Sequence, residues 1–334
     1  MKKLLACCAV FVAAATAAAQ NPSQAGAAGG VQDMGGGSCP RVQRPEPAAG
    51  RGGRGGARNP GNEWNCSDTK NPIATPNTIW FEEMTWMDVR DAIANGKNAI
   101  IIPTGGLEPN GPWLVTGKHN YVLTANCEAI ARKLGNALCA PIVKFVPEGR
   151  IDPPSSHMVS PNTISMREET FRMMLTDIVH SLKMHGFKQI FLIGDSGGNQ
   201  PGQRAVADSL TKIWNGDPVV AHIQEYYDYA SAARFMEDKG IKEDSTKAEH
   251  LHDDPIITLN MYIADPKSVR YDERVKAGKA SINGISIADK NKNLQLAKQI
   301  VEFRATSTVE AIKKAIVNRG TLPAPAGRGR GGPP

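Results

Sequence analysis

Four segments, NAIIIPTGG, ALCAPIVKFV, KQIFLIGD and DPVVAHIQEYYD, are built around apolar runs without polar alternation. Runs of this length and kind are the mark of strands buried on both faces. The segments between them repeat their apolar positions at helical spacing. MTWMDVRDAIANG predicts a helix closed by Gly96, VLTANCEAIARKLG a helix ending at Gly135, and SMREETFRMMLTDIVHSLKMHG a long amphipathic helix. For the long helix, Ser165 is the expected N-cap, Glu168 completes a capping box and Gly186 ends it. QRAVADSLTKIWN predicts one more helix, and Asp253-Asp254-Pro255 reads as a helix start, with carboxylates at the positive end of the dipole. Buried strands alternating with helices predict an α/β fold, a three-layer α/β/α sandwich with a mostly parallel central sheet.

In such sheets the chemistry gathers in loops at the carboxyl ends of the strands. Here those loops are PTGGLEPNGPWLVTGKHN, EGRIDPPSSHMVSPNTIS, GDSGGNQPG and the later KAEHLHDDP. They hold Glu108, His119, His157, Asp195, Ser196, Glu249, His250, His252, Asp253 and Asp254. Of the seven histidines, His180 and His185 fall in the long helix and His222 in a strand, where packing or a place on the surface accounts for them.

The two ends have another character. MKKLLACCAVFVAAATAAA has a basic start, a short apolar stretch and small residues at a cleavage site, which predicts a signal peptide over 1–19 and a protein exported to the periplasm or secreted. Residues 20–62 and 321–334 are rich in Gly, Arg and Pro and are expected to be disordered, leaving one folded domain at 63–320. The net charge of +6 resides in these ends. The folded span is close to neutral, so nothing marks it as a nucleic-acid binder, and no later segment is apolar enough to predict a membrane span. Export leaves Cys39, Cys66, Cys127 and Cys139, whose pairing the sequence does not fix.

The string GDSGG around Ser196 fits G-x-S-x-G, a nucleophile elbow, and Ser196, Asp228 and His250 follow one another in the order a serine hydrolase requires. A competing explanation comes from the wider pattern. EEMTWMDVRDAI, AIIIPTGGLEPNGPWLVTGKHN, SSHMVSPNTIS, the helix ending MHGF, GDSGGN and AEH resemble the creatininase (creatinine amidohydrolase) family in order and spacing, from about Trp80 to Arg304. Family members read G-S-x-E-Q-H-G-P-H-L-P-L-G-T-D in the first of these loops and N-G-H-G-G-N in the third. Ser196 then stands where the family has a metal-binding His.

The resemblance implies a metal-dependent amidohydrolase, with zinc or manganese activating water against a small, possibly cyclic amide, and a homo-oligomer. Glu108 matches the family's first carboxylate ligand, and Glu249 and His250 its Glu-His pair, which implies a proton-moving role for both. Asn110, Trp113, His119 and Ser196 occupy positions where the family has other ligands, and Asn199 matches its final Asn. The expected site is therefore a rebuilt one. Glu108, His119 and His252 hold a single divalent metal, Glu249 and His250 act as catalytic groups, and Asn110, Trp113, His157, Asp195, Ser196 and Asn199 surround substrate and ligands. A relative that binds a small molecule without cleaving it, and a serine hydrolase using Ser196, are the alternatives.

Overall fold

The computed structural model describes residues 70–321. The expected signal peptide, the Gly/Arg-rich segment, Cys39, Cys66 and the tail from residue 322 lie outside the described residues. The elements run α1 (Trp86–Ala94), β1 (Ala99–Thr104), α2 (Lys118–Leu134), β2 (Ala137–Cys139), α3 (Glu168–Met184), β3 (Gln189–Gly194), α4 (Asn199–Trp214) and β4 (Val219–His222). They continue through α5 (Tyr229–Glu237), α6 (Pro255–Ala264), α7 (Tyr271–Lys276), a two-residue hairpin of β5 (Ser281–Ile282) and β6 (Ile285–Ser286), and α8 (Lys290–Val317).

β1 to β4 form one sheet in the order β2-β1-β3-β4, every pair parallel. Successive side chains on a strand point to opposite faces, and both faces here are apolar. Ala99, Ile101, Phe191, Ile193 and Ala221 pack with Leu123 and Ile130 of α2 and Val309 and Ile312 of α8. Ile100, Ile102, Ile190, Leu192 and Val220 pack with Phe171, Leu175 and Val179 of α3 and Val206 and Leu210 of α4. This is why the strands lack alternation, and it gives the expected three layers.

Three boundaries differ from the sequence pattern. The ALCAPIVKFV strand stops at Cys139, because Pro141 follows; beyond it Val143 keeps a single bridge to Thr104 at the end of β1, while Val146 bridges to Ser165 outside the sheet. α3 starts at Glu168, with Arg167 rather than Ser165 at its N-cap and no side-chain cap. Ser165 instead accepts the Glu148 backbone N–H at 2.9 Å and donates to the Gly149 carbonyl at 2.7 Å. α2 starts at Lys118, so Lys118 and His119 belong to a helix's first turn and not to a loop. The Asp253-Asp254-Pro255 reading agrees with the structure: Asp254 accepts the Ile256 and Ile257 N–H groups at 2.7 and 3.0 Å, and Pro255 opens α6.

Cys127 on α2 and Cys139 at the end of β2 form a disulfide. It pins the helix that carries Lys118 and His119 to the edge of the sheet, adding roughly 2–3 kcal/mol in the chain-entropy account. Asn126 of α2 donates to Asn260 of α6 at 2.6 Å, joining the second half of the chain to the same helix. Among the described residues no helix is long and apolar enough to cross a membrane.

His222 closes β4, 5% exposed, with Nε2 against Gln200 Oε1 at 2.8 Å. Gln200 in turn donates to the Gly194 and Ser196 carbonyls, so this imidazole braces the third loop. Burial, aided by the nearby Arg204 charge, lowers its pKa to about 3. A lowered pKa means that the unfolded chain takes up a proton that the folded one refuses. The stability is therefore fully present above about pH 6.5 and falls as pH drops from there toward 3. His222→Gln is expected to remove roughly 2 kcal/mol of this acid sensitivity between pH 7 and pH 5, read from urea unfolding at the two pH values. An unchanged difference between the two would contradict the assignment.

Candidate active site

The loops after β1, β2 and β3 meet at the carboxyl edge of the sheet, and Glu108 is where they converge. Its side chain is 2% exposed. Lys118 Nζ lies 2.7 Å and His119 Nε2 3.0 Å from Oε1, and His157 Nδ1 lies 2.9 Å from Oε2. Burial alone would raise the Glu108 pKa, but His119, His157 and Lys118 outweigh it and hold the carboxyl far below the usual carboxylate range. Oε1 has these charged neighbours yet no aligned hydrogen bond.

His119 stands between two carboxylates: its Nε2 lies 3.0 Å from Glu108 Oε1 and its Nδ1 2.8 Å from Asp195 Oδ2. Burial disfavours its charge, but the two carboxylates raise its pKa to about 9. Asp195 is fully buried and takes two further partners, Arg304 at 3.1 Å and the Tyr229 hydroxyl at 2.8 Å. Arg304 also stacks its guanidinium over Tyr226 and Tyr229, at 4.5 and 4.6 Å from the ring centres. The line Glu108–His119–Asp195–Arg304 alternates in charge and runs from the cleft into α8.

A second carboxylate, Glu148, lies across the cleft. Oε2 accepts from Ser196 Oγ at 3.3 Å and meets His157 Nδ1 at 3.1 Å, while the buried Oε1 has no partner. Burial raises the Glu148 pKa. The hydrogen bonds to Glu108 and Glu148 raise that of His157 to about 9. Gly106 lets the two loops close here, since a Cβ on it would fall 2.0 Å from Glu148 Oε1.

His252 reaches the same place from the 249–254 segment. Gly111 donates its N–H to the Leu251 carbonyl, and a Cβ on Gly111 would lie 2.4 Å from that of Leu251, so the two loops touch backbone to backbone. His250 and His252 both have left-handed backbones, φ 53° and 55°, a conformation that non-glycine residues rarely hold without support. The His252 Nδ1–H donates to the Pro109 carbonyl at 3.0 Å, leaving the Nε2 lone pair aimed inward, 3.7 Å from Glu108 Oε1. Burial and the Lys118 charge lower its pKa, which keeps the ring neutral.

Glu108, His157 and His252 can thus present one ligand atom each within 4.8 Å of one another. One carboxylate and two imidazoles form a zinc set with a fourth position open, and a ligand His whose other nitrogen donates to a backbone carbonyl is the usual supporting arrangement. The residues fit a divalent metal.

A model of the Creatininase family, described as creatinine amidohydrolase, matches residues 82–320. The chain belongs to the creatininase family. It is 30% identical over 120 residues to 3-dehydro-scyllo-inosose hydrolase of Thermotoga maritima, covering 36% of each chain. It is 24% identical over 116 residues to creatinine amidohydrolase of Pseudomonas putida, covering 35% of this chain and 44% of that one. The matched region therefore spans less than half the length of these curated relatives. Solved structures share the fold at low identity. A creatinine amidohydrolase (creatininase) crystal structure superposes with a TM-score of 0.53 at 17% identity, covering 72% of this chain and 99% of that one. A structure described as "Creatininase Mn" gives 0.52 at 18% with the same coverage. The chain is a creatininase-family protein with an α/β fold.

Of the residues expected from sequence, the fold brings Glu108, His119, His157, Asp195, Ser196 and His252 together. Asn110 donates to the Glu108 carbonyl at 3.0 Å, and Asn199 ties the ends of β1 by donating to Thr104 and Gly105. Trp113 is half-buried in the first loop. Glu249 pairs instead with Lys279 at 2.7 Å, and His250 is exposed; neither belongs to the cluster around Glu108. The serine-hydrolase arrangement does not assemble: Ser196 donates to a carboxylate, and Asp228 caps α5. The sequence pattern does not point to Lys118, Glu148, Tyr229 or Arg304. Arg304 leaves one signal, a charged residue in the buried stripe Ala297, Ile300, Arg304, Thr308 of α8.

Arg304→Met should cost roughly 3–5 kcal/mol of unfolding free energy, because it leaves Asp195 buried beside fewer compensating groups. Urea denaturation checks this. A loss under about 1 kcal/mol would show that Asp195 does not depend on the guanidinium.

Proposed function

We propose that this protein is an exported, metal-dependent amidohydrolase acting on the C–N bond of a small amide, cyclic or open, with one divalent ion, zinc or manganese, held by Glu108, His157 and His252. The observation that carries the reading is His252: a neutral imidazole on a left-handed backbone, its Nδ1–H fixed to Pro109 and its Nε2 aimed at Glu108. Such a ring is built to give a lone pair away.

A bound divalent ion supplies Lewis-acid polarisation and an activated water. The protein's own groups do the rest. Glu148 is the proton carrier, since burial raises its pKa and Oε1 is buried without a partner, free to take up or pass on a proton. Ser196 steadies Oε2 of the same carboxylate and is no nucleophile. His119, clamped between Glu108 and Asp195, keeps a positive charge in the cleft and fixes the Glu108 carboxylate for its ligand role. Export is supported by the leader pattern and by the Cys127–Cys139 bond, which suits an oxidising compartment.

Metal content and zinc and manganese titration of the purified protein test the reading, beside Glu108→Gln and His252→Ala. Wild type is expected to bind one ion per chain at micromolar concentrations, with each substitution weakening binding at least tenfold. If both variants bind as well as wild type, the site lies elsewhere. If wild type takes up no metal, the pocket belongs to a relative that binds its small molecule without metal-assisted cleavage.

A further inference from the structure

Lys118 is the least expected occupant of the cluster. Its side chain is 1% exposed. An ammonium out of water is costly unless it is paired. Lys118 also opens α2, whose N-terminal end carries the helix's partial positive charge and disfavours a cation. An uncharged side chain of similar length would fill the same volume without either cost, so packing does not account for the charge. Nζ lies 2.7 Å from Glu108 Oε1 and 3.5 Å from both Nε2 and the carbonyl oxygen of His252. It therefore leans on two of the three groups that present ligand atoms to a metal.

We propose that Lys118 is a built-in cation that shares Glu108 and His252 with the metal. Taking the metal reading of the site as its basis, this means that the cleft accepts one divalent ion and no second, and holds that ion less tightly than its donor set alone would. The physical reason is like-charge repulsion at close range in a buried setting, where screening is weak. One solved neighbour is a mutant creatininase described as "Zn-Zn type". In the present chain, a second ion beside Glu108 would have to enter against a fixed ammonium. Lys118 thus supplies positive charge at the Glu108 side of the cleft whether or not metal is present.

The test is zinc and manganese titration, with elemental analysis after desalting, on wild type, Lys118→Met and Lys118→Arg. Lys118→Met is expected to bind at least tenfold more tightly than wild type. Lys118→Arg, which keeps the charge, should stay within threefold of wild type, and wild type should take up no more than one ion per chain. Equal or weaker binding by Lys118→Met, or two ions in wild type, would overturn the inference and leave the metal reading standing. Uptake by Lys118→Met alone would support the inference while overturning metal dependence in the natural chain. No uptake by either would overturn both. Should thermal melting show Lys118→Met unfolded, Lys118→Gln replaces it, with the same tenfold gain expected and its absence equally decisive.

Discussion

A single carboxylate, Glu108, sits almost out of water with Lys118, His119 and His157 within 3.0 Å of its oxygens. Its negative charge is tolerable there only because these cations surround it, and their positive charges are tolerable only because of it. Much of the local architecture serves this mutual dependence. The first loop folds back so that the Glu108 backbone N–H meets the Thr116 carbonyl, and the first turn of α2 carries two of the three cations. The chain of compensation continues through Asp195 to Arg304, so a helix from the far end of the sequence is bound electrostatically to the cleft.

The apolar framework explains why such a site can exist. A sheet buried on both faces fixes the ends of β1 and β3 side by side, with Thr104 opposite Gly194, and the functional loops begin directly beyond that pair. Asn199 bridges the end of β1 from α4, and Gln200, braced by His222, holds the carbonyls of the third loop. The polar residues that touch the site are themselves positioned by others that do not, which is how a cleft of opposed charges keeps one arrangement.

Much of this is legible in the sequence, and what is not has physical reasons. Unbroken apolar strands between periodic helices announce the three-layer fold, because burial on both faces leaves no other pattern. Glu108, His119, His157, Asp195, Ser196 and His252 stand in segments that a parallel sheet must bring to one edge. The roles are harder. The partner that fixes the His119 ring is Asp195, a contact across 76 positions of sequence that no local pattern encodes. Lys118 falls within the first loop string, because α2 starts well before the apolar repeat that begins at Val122. Glu148 opens the second of the loops assigned to the carboxyl edge, but nothing beside it along the chain sets it apart from the other acids there. Glu249 and His250 take their expected roles from the resemblance alone; the left-handed turn that aims His252 inward leaves His250 exposed and Glu249 paired with Lys279.

The central proposal is that one carboxylate and two imidazoles, Glu108, His157 and His252, form a metal centre in this protein. X-ray absorption at the zinc edge of the zinc-loaded protein tests it most directly. The account predicts a low-coordinate zinc with two imidazole nitrogens at about 2.0–2.1 Å and the remaining ligands oxygen, reduced to one imidazole in His252→Ala. A spectrum of a fully hydrated ion, a sulfur shell, or an imidazole count unchanged by His252→Ala would contradict it.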